Sequence, residues 1–168
     1  MMKRFVVACC LLCISLLSAP ASFAAAGAIK IGGLFAVTGP AAFLGEPERN
    51  SAKMVVEEIN AAGGIKGRKI ELVIYDTAGD ATKAVQLATK LIKDDKVVAI
   101  IGPSTTGESM AVIPVAEKEQ IPLISCAAGI KITDPPKKWI FKTAQNDTLR
   151  LAESMNSFRN RNLPGSQS

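Results

Sequence analysis

"IIGPSTTGES", residues 100–109, holds the side chains best placed for chemistry. An apolar run, "VVAII", reaches Gly102; four loop residues follow, and then Gly107, Glu108 and Ser109. The spacing is that of the phosphate-gripping loop G-x-x-x-x-G-K-[ST], with Glu108 where the lysine should stand. That lysine reaches the outer phosphates of a nucleotide, and a carboxylate in its place repels them. Thr106 and Gly107 nevertheless fall where a helix begins. Free amides there, with the positive end of the helix dipole, favour an anion, and the Thr106 hydroxyl adds a donor. The stretch suits a single carboxylate, provided that Glu108 points away, and argues against a nucleotide-hydrolysing α/β enzyme.

The rest of the chain narrows the chemistry further. There is no histidine, which removes the commonest general base and metal ligand, and with them a zinc site or a Ser–His pair within this chain. Of four cysteines, Cys9, Cys10 and Cys13 lie in the first 24 residues, leaving Cys126 without an internal disulfide partner. With no histidine to activate it, Cys126 reads as a small buried hydrophobe. Asp76 and Asp80 read as cap and turn residues, not as an acid–base pair. Asp76 ends a strand as a ribose-binding acid would, but the first strand leads into "TGPAAFLGE" and not into G-x-G-x-x-G. The "GGIKG" glycines, 63–67, follow a helix and read as its stop and a turn. No metal or cofactor is expected.

Charge excludes another class. The net charge of +5 in 168 residues is concentrated at the ends, in Lys3, Arg4, Arg150, Arg159 and Arg161. Setting those and Glu153 aside leaves fifteen basic and fourteen acidic residues, so nothing points to nucleic acid. Residues 1–24 have the layout of a cleavable secretory signal: "MMKR", the apolar "FVVACCLLCISLL", then small residues at Ser22 and Ala24. The apolar run is short for a membrane span. "VVAC" resembles a lipid-attachment site, but too little apolar chain precedes Cys9.

The elements that must carry the 100–109 loop alternate. Strands are expected at 28–37, 69–76, 96–102 and 121–127, with a fifth at 138–144. "NSAKMVVEEINAAGG" is helical in period, with Ala52, Val55, Val56, Ile59 and Ala62 on one face. "ATKAVQLATKLIKDD" is a second helix, capped by Asp80 and buried through Ala84, Leu87, Ala88 and Leu91. "ESMAVIPVAEKE" is a third, which Pro114 should kink or divide. In "KIELVIYD" Ile70, Leu72 and Ile74 face one way and Val73 and Tyr75 the other, as in a parallel sheet covered on both sides. The fold class is therefore α/β, a doubly wound parallel sheet. Ligands of such sheets bind beyond the carboxyl ends of the strands. Here those ends are "VTGPAAFLGE", "DTAGD", "GPSTTGE" and "SCAAGIKIT", all rich in small residues.

At this point the chain resembles a known family. "IKIGGLFAVTGPAAFLGE", "VVEEINAAGGIKGRKIELVIYDTAGD", "AVQLATKLI", "VVAIIGPSTTGES" and "VAEKEQIPLIS" are similar to the N-terminal lobe of periplasmic solute-binding proteins of ABC transporters for branched-chain amino acids. The resemblance implies a type I periplasmic binding fold, two Rossmann-like lobes closing on a small amino acid, and an inner-membrane permease as partner. It implies a periplasmic location and no enzymatic activity. It also implies site residues: Thr106 and the neighbouring Gly107 for the ligand carboxylate, and the carbonyl of Ala127 for its ammonium. Gly129 stands where the family usually has a threonine that bonds both groups. Leu44 stands where some members have a covering aromatic, with Phe43 beside it. Gly79 and Thr105 replace the cysteines of a disulfide found near the pocket in some members. A sensor or receptor domain of the same fold is the alternative. The expected organisation is a leader at 1–24, a ligand-binding lobe at 25–148, and a divergent tail at 149–168 of the kind that a frameshift produces. Half a clamp is expected to bind its ligand weakly or not at all.

Overall fold

A computed structural model describes residues 27–161. The leader expected at 1–24 and the last seven residues lie outside them. Five parallel strands form one sheet in the order β2-β1-β3-β4-β5: β1 (Ile29–Phe35), β2 (Ile70–Asp76), β3 (Ala99–Ile101), β4 (Leu123–Ser125) and β5 (Ile140–Lys142). Helices α1 (Ala42–Ala61), α2 (Ala81–Lys93) and α3 (Thr106–Glu119) connect the first four, a 3₁₀ turn (Ile130–Ile132) precedes β5, and α4 (Asp147–Arg161) follows it. The order reverses at β1, because the chain steps left to β2 and then crosses back to β3. Carboxyl ends on either side of such a reversal form a crevice.

Strand alternation sorts the layers. Leu34, Ile100, Leu123 and Ile140 join Ala84, Ala88, Leu91, Val112, Ile113 and Ala116 of α2 and α3 in the buried core. Leu91 is fully buried, worth about 1.5–3 kcal/mol over leaving it in water. Gly32 makes room for it: a Cβ there would lie 2.8 Å from a Leu91 methyl. The alternate residues Ile31, Phe35, Ile70 and Ile101 face α1, so both sides of the sheet are apolar, as the "KIELVIYD" pattern implies. Asn60 at the end of α1 fastens the sheet edge: its side chain donates to the Ile70 carbonyl at 2.8 Å and accepts from the Ile70 amide at 2.7 Å.

Two expectations need correction, the start of the first helix and the effect of Pro114. The first helix begins at Ala42, not near Asn50, and Pro47 lies inside it. Gly45 and Pro47 look like loop residues, but Gly45 lets the helix start run against β1: a Cβ would sit 2.3 Å from the Ala36 carbonyl oxygen. Pro47 removes only the bond to the Phe43 carbonyl. The shared face of α1 lies partly open. Ala52, Val55, Val56 and Ile59 line a groove of about 510 Å³ with the sheet, Val55 is 45% exposed, and Ala62 is an exposed cap. Pro114 does not divide α3, which runs unbroken from Thr106 to Glu119. Helix α4 runs across position 148/149, with Leu149, Leu151 and Met155 exposed.

Candidate ligand-binding edge

Parallel strands put the loops after β1, β2, β3 and β4 at one edge. Asp76, at the end of β2, ties the first two together. Its carboxylate accepts from the amides of Val37 (2.9 Å), Thr38 (3.2 Å) and Ala78 (2.9 Å), and from the Thr38 hydroxyl (2.5 Å). Burial raises its pKa, but these bonds outweigh it and hold the carboxyl below its ordinary value. Asp76 is thus a loop tie, and Asp80 is the N-cap of α2, accepting from the Lys83 amide at 2.6 Å.

The loop after β3 becomes the start of α3. Thr105 is the N-cap, and Glu108 completes a capping box: the Glu108 amide donates to the Thr105 hydroxyl oxygen at 3.3 Å. The Thr105 amide and hydroxyl donate to Glu108 Oε2 at 3.1 and 2.6 Å. Glu108 therefore does not point away from the helix start but folds back into it, fully buried, with Oε1 unpartnered. The T-x-x-E signature at 105–108 was the available signal for this, and the comparison with a phosphate loop hides it. Because Thr105 and Glu108 satisfy each other, Thr106 is left over. Its hydroxyl has no partner among the described residues. Its amide and that of Gly107 occupy the first helical turn, where no carbonyl precedes them. Thr106 and Gly107 are both exposed, and Thr105 is half-buried.

Ser104, beside the cap, accepts from the Ala36 amide at 3.1 Å and donates to Glu48 at 2.5 Å. Burial pushes the Glu48 carboxyl up, the Ser104 bond lowers it, and the nearby Glu108 charge raises it again.

The loop after β4 is pinned from several sides. The Cys126 amide donates to the Pro103 carbonyl at 3.2 Å, and the Ala127 amide to Ser125 Oγ at 3.1 Å. Ser125 Oγ also lies 2.7 Å from Ser109 Oγ on α3, both buried. Lys142, at the end of β5, donates through Nζ to the carbonyls of Ala128 (2.8 Å) and Gly129 (3.5 Å). No donor among the described residues reaches the carbonyl of the buried Ala127. Gly129 packs on Thr106: a Cβ there would stand 2.4 Å from Thr106 Cγ2 and 2.9 Å from Oγ1.

The structure thus brings Thr106, Gly107, Ala127 and Gly129 together. Phe43 and Leu44 share their edge in the first turn of α1, 75% and 39% exposed. Lys142 is the group at this edge that sequence reading missed, since it lies in a short strand whose pairing is invisible locally. Cys126 is a free thiol pushed up to about 11 by burial, with the Glu48 charge adding to it. Among the described residues no cluster of three metal-ligating side chains occurs. The edge offers two amides at a helix start, a hydroxyl and an unpaired carbonyl: groups suited to hydrogen-bonding a charged ligand.

Residues 28–160 match the sequence model of a family described as periplasmic binding protein, and the chain belongs to that family. The match takes in twelve residues beyond position 148. The chain is 36% identical over 127 residues to the leucine-, isoleucine-, valine-, threonine- and alanine-binding protein of Pseudomonas aeruginosa, covering 75% of this chain and 34% of that protein. It is 37% identical over 116 residues to the Leu/Ile/Val-binding protein of Escherichia coli K12, covering 69% and 31%. Among solved structures it is similar to a branched-chain amino acid transporter substrate-binding protein of Streptococcus pneumoniae in complex with isoleucine. There the TM-score is 0.69 at 37% identity, over 72% of this chain and 35% of that one. A solute-binding protein of an ABC transporter from Rhodopseudomonas palustris BisB5, in complex with 3,4-dihydroxybenzoic acid, gives 0.64 at 30% identity, over 71% and 32%. The fold is that of one lobe of these proteins, and the chain spans about a third of the length of the curated relatives it matches.

Proposed function

We propose that this chain is the first ligand-binding lobe of an extracytoplasmic solute-binding component of an ABC importer, holding branched-chain or other small amino acids by their α-groups. The carrying observation is the free Thr106 hydroxyl at the start of α3, in contact with the 127–129 loop and its unpaired Ala127 carbonyl. In this reading Thr106 and the Thr106 and Gly107 amides bind the carboxylate, and the Ala127 carbonyl accepts from the ammonium. Phe43 and Leu44 border the side chain. Lobe closure would replace the water around the zwitterion without any covalent step. Relatives named for leucine, isoleucine and valine support the ligand class, and the transporters named for two similar solved structures support a permease in the inner membrane as partner. A secretory leader at 1–24 delivers the lobe, residues 25–148, to the periplasm. Residues 149–168 serve no part of the binding edge.

One lobe buries only one side of a ligand, so calorimetry on residues 25–168 should show no uptake of leucine, isoleucine or valine tighter than the millimolar range. Micromolar binding would overturn the reading of the chain as half a clamp. Neighbouring genes for a permease and an ATPase would favour transport over sensing.

A further inference from the structure

The contacts at this edge are unequal for the two ends of a zwitterion. We propose that Lys142 and Gly129 together bias the site toward the carboxylate, so that it accepts small branched carboxylic acids lacking an α-ammonium group at least as well as the amino acids. The inference rests on the edge being a ligand site, as proposed above, and adds its chemical class.

Two observations carry it. The Lys142 ammonium already occupies the carbonyls of Ala128 and Gly129, at 2.8 and 3.5 Å. Those are the acceptors next in line after Ala127, so an incoming ammonium meets a like charge on the same loop. An incoming carboxylate meets an opposite one. Lys142 is half-buried, which limits screening of that charge. The second observation is Gly129 itself. It contributes no hydroxyl that could accept from an ammonium, and Thr106 Cγ2 fills the space a side chain would need. The Thr106 hydroxyl can serve either end; beyond it, one acceptor-only group, the Ala127 carbonyl, stands against two donor-only groups, the amides of Thr106 and Gly107. Glu108 opposes the bias with its charge at the helix start, but its Oε2 is turned onto Thr105. Lys142 bonds the Gly129 carbonyl and Thr106 packs where a Gly129 Cβ would stand, so the cation and the carboxylate donors share one glycine. Lys142 is accordingly both a positioning residue for the loop and a determinant of charge preference.

The test is a matched set of probes on residues 25–168 labelled with ¹⁵N at pH 7, followed at the Thr106 and Gly107 amides. The probes are leucine, 4-methylpentanoate (leucine without its amino group) and 3-methylbutylamine (leucine without its carboxyl). The expected ranking places 4-methylpentanoate level with or ahead of leucine, with the amine silent. Lys142→Met should weaken 4-methylpentanoate by about tenfold, while Lys142→Arg keeps most of the affinity. Without any ligand, Lys142→Met should also shift the amides of Gly129 to Ile132. Leucine binding tenfold tighter than 4-methylpentanoate would overturn the charge preference and leave the site standing. Silence from all three probes, titrated to roughly 100 mM, would remove the site, and this preference with it. The ranking in the unsubstituted chain decides the matter even if the methionine variant fails to fold.

Discussion

Gly129→Ala is the smallest change that interrogates the edge. Gly129 has φ −55°, which any residue adopts, so backbone strain is not at issue. On that ground alone, alanine should stabilise by about 0.4–1 kcal/mol by restricting the unfolded chain. The new Cβ, however, would stand 2.4 Å from Thr106 Cγ2 and 2.9 Å from its Oγ1, closer than real Cβ contacts come. Thr106 opens α3 and can yield only by rotating its side chain or shifting the loop. Overpacking of this kind costs about 1–3 kcal/mol. The net expectation is a loss of roughly 0.5–2 kcal/mol. Thr106→Ser removes Cγ2, the nearer of the two clashing atoms. In that background Gly129→Ala should be neutral or slightly stabilising, giving a coupling of about 1 kcal/mol or more in a double-mutant cycle. Urea unfolding of the four proteins, with unchanged slopes, measures it. Equal costs for Gly129→Ala in both backgrounds would refute the packing of Gly129 on Thr106, and with it the geometry of the binding edge.

Three further outcomes follow from the same structure. Asp76→Asn should cost about 1–2 kcal/mol at pH 7 by weakening charge-assisted bonds to Val37, Thr38 and Ala78. Because the folded carboxyl titrates below the ordinary 3.8, its contribution is present above that value and lost as pH falls beneath it. Urea unfolding should therefore show the gap between the two proteins narrowing as pH falls below 3.8, and a gap that stays constant into the acid limb would sink the assignment. Glu48 has the opposite sign. Its folded pKa lies above 4.5, so its contribution is full below that value and is lost as pH rises. Glu48→Gln should raise the thermal midpoint at pH 7, by no more than ~1 kcal/mol in stability given solvent screening, and leave it unchanged near pH 4. A drop at pH 7 would contradict this. The Cys126 thiol, pushed up from 9.0 to about 11, should react with a disulfide reagent at pH 8 on the order of a hundredfold more slowly than a free cysteine. A rate matching the free amino acid would show that the thiol is not desolvated.

Much of this was written in local patterns. The alternation in "KIELVIYD" assigns both faces of β2, and the spacing of Ala84, Ala88 and Leu91 assigns the buried side of α2, because each signal fits inside one element. The near-phosphate loop announced an anion site and located Thr106. What stayed hidden depends on distant residues or on conformations that punctuation residues disguise. Gly45 and Pro47 look like loop, and only the approach of Ala36 explains a helix there. The fate of the α1 stripe depends on what lies across the sheet, which no helical period reports. Lys142 meets the carbonyls of Ala128 and Gly129 only because β5 pairs with β4 in the register Ser125↔Lys142.

In the proposed reading, recognition at this edge relies heavily on the main chain. The Thr106 and Gly107 amides and the Ala127 carbonyl belong to the backbone; proline alone would delete an amide, and no substitution deletes the carbonyl. The capacity to hold a charged group is therefore robust to mutational drift. Which group is held, and with what side chain attached, falls to Phe43, Leu44, Thr106, Gly129 and Lys142. None of these belongs to the core between the sheet and α2 and α3. In that reading a lineage can trade one solute for another by a handful of changes at the rim, while the buried core beneath it stays constant.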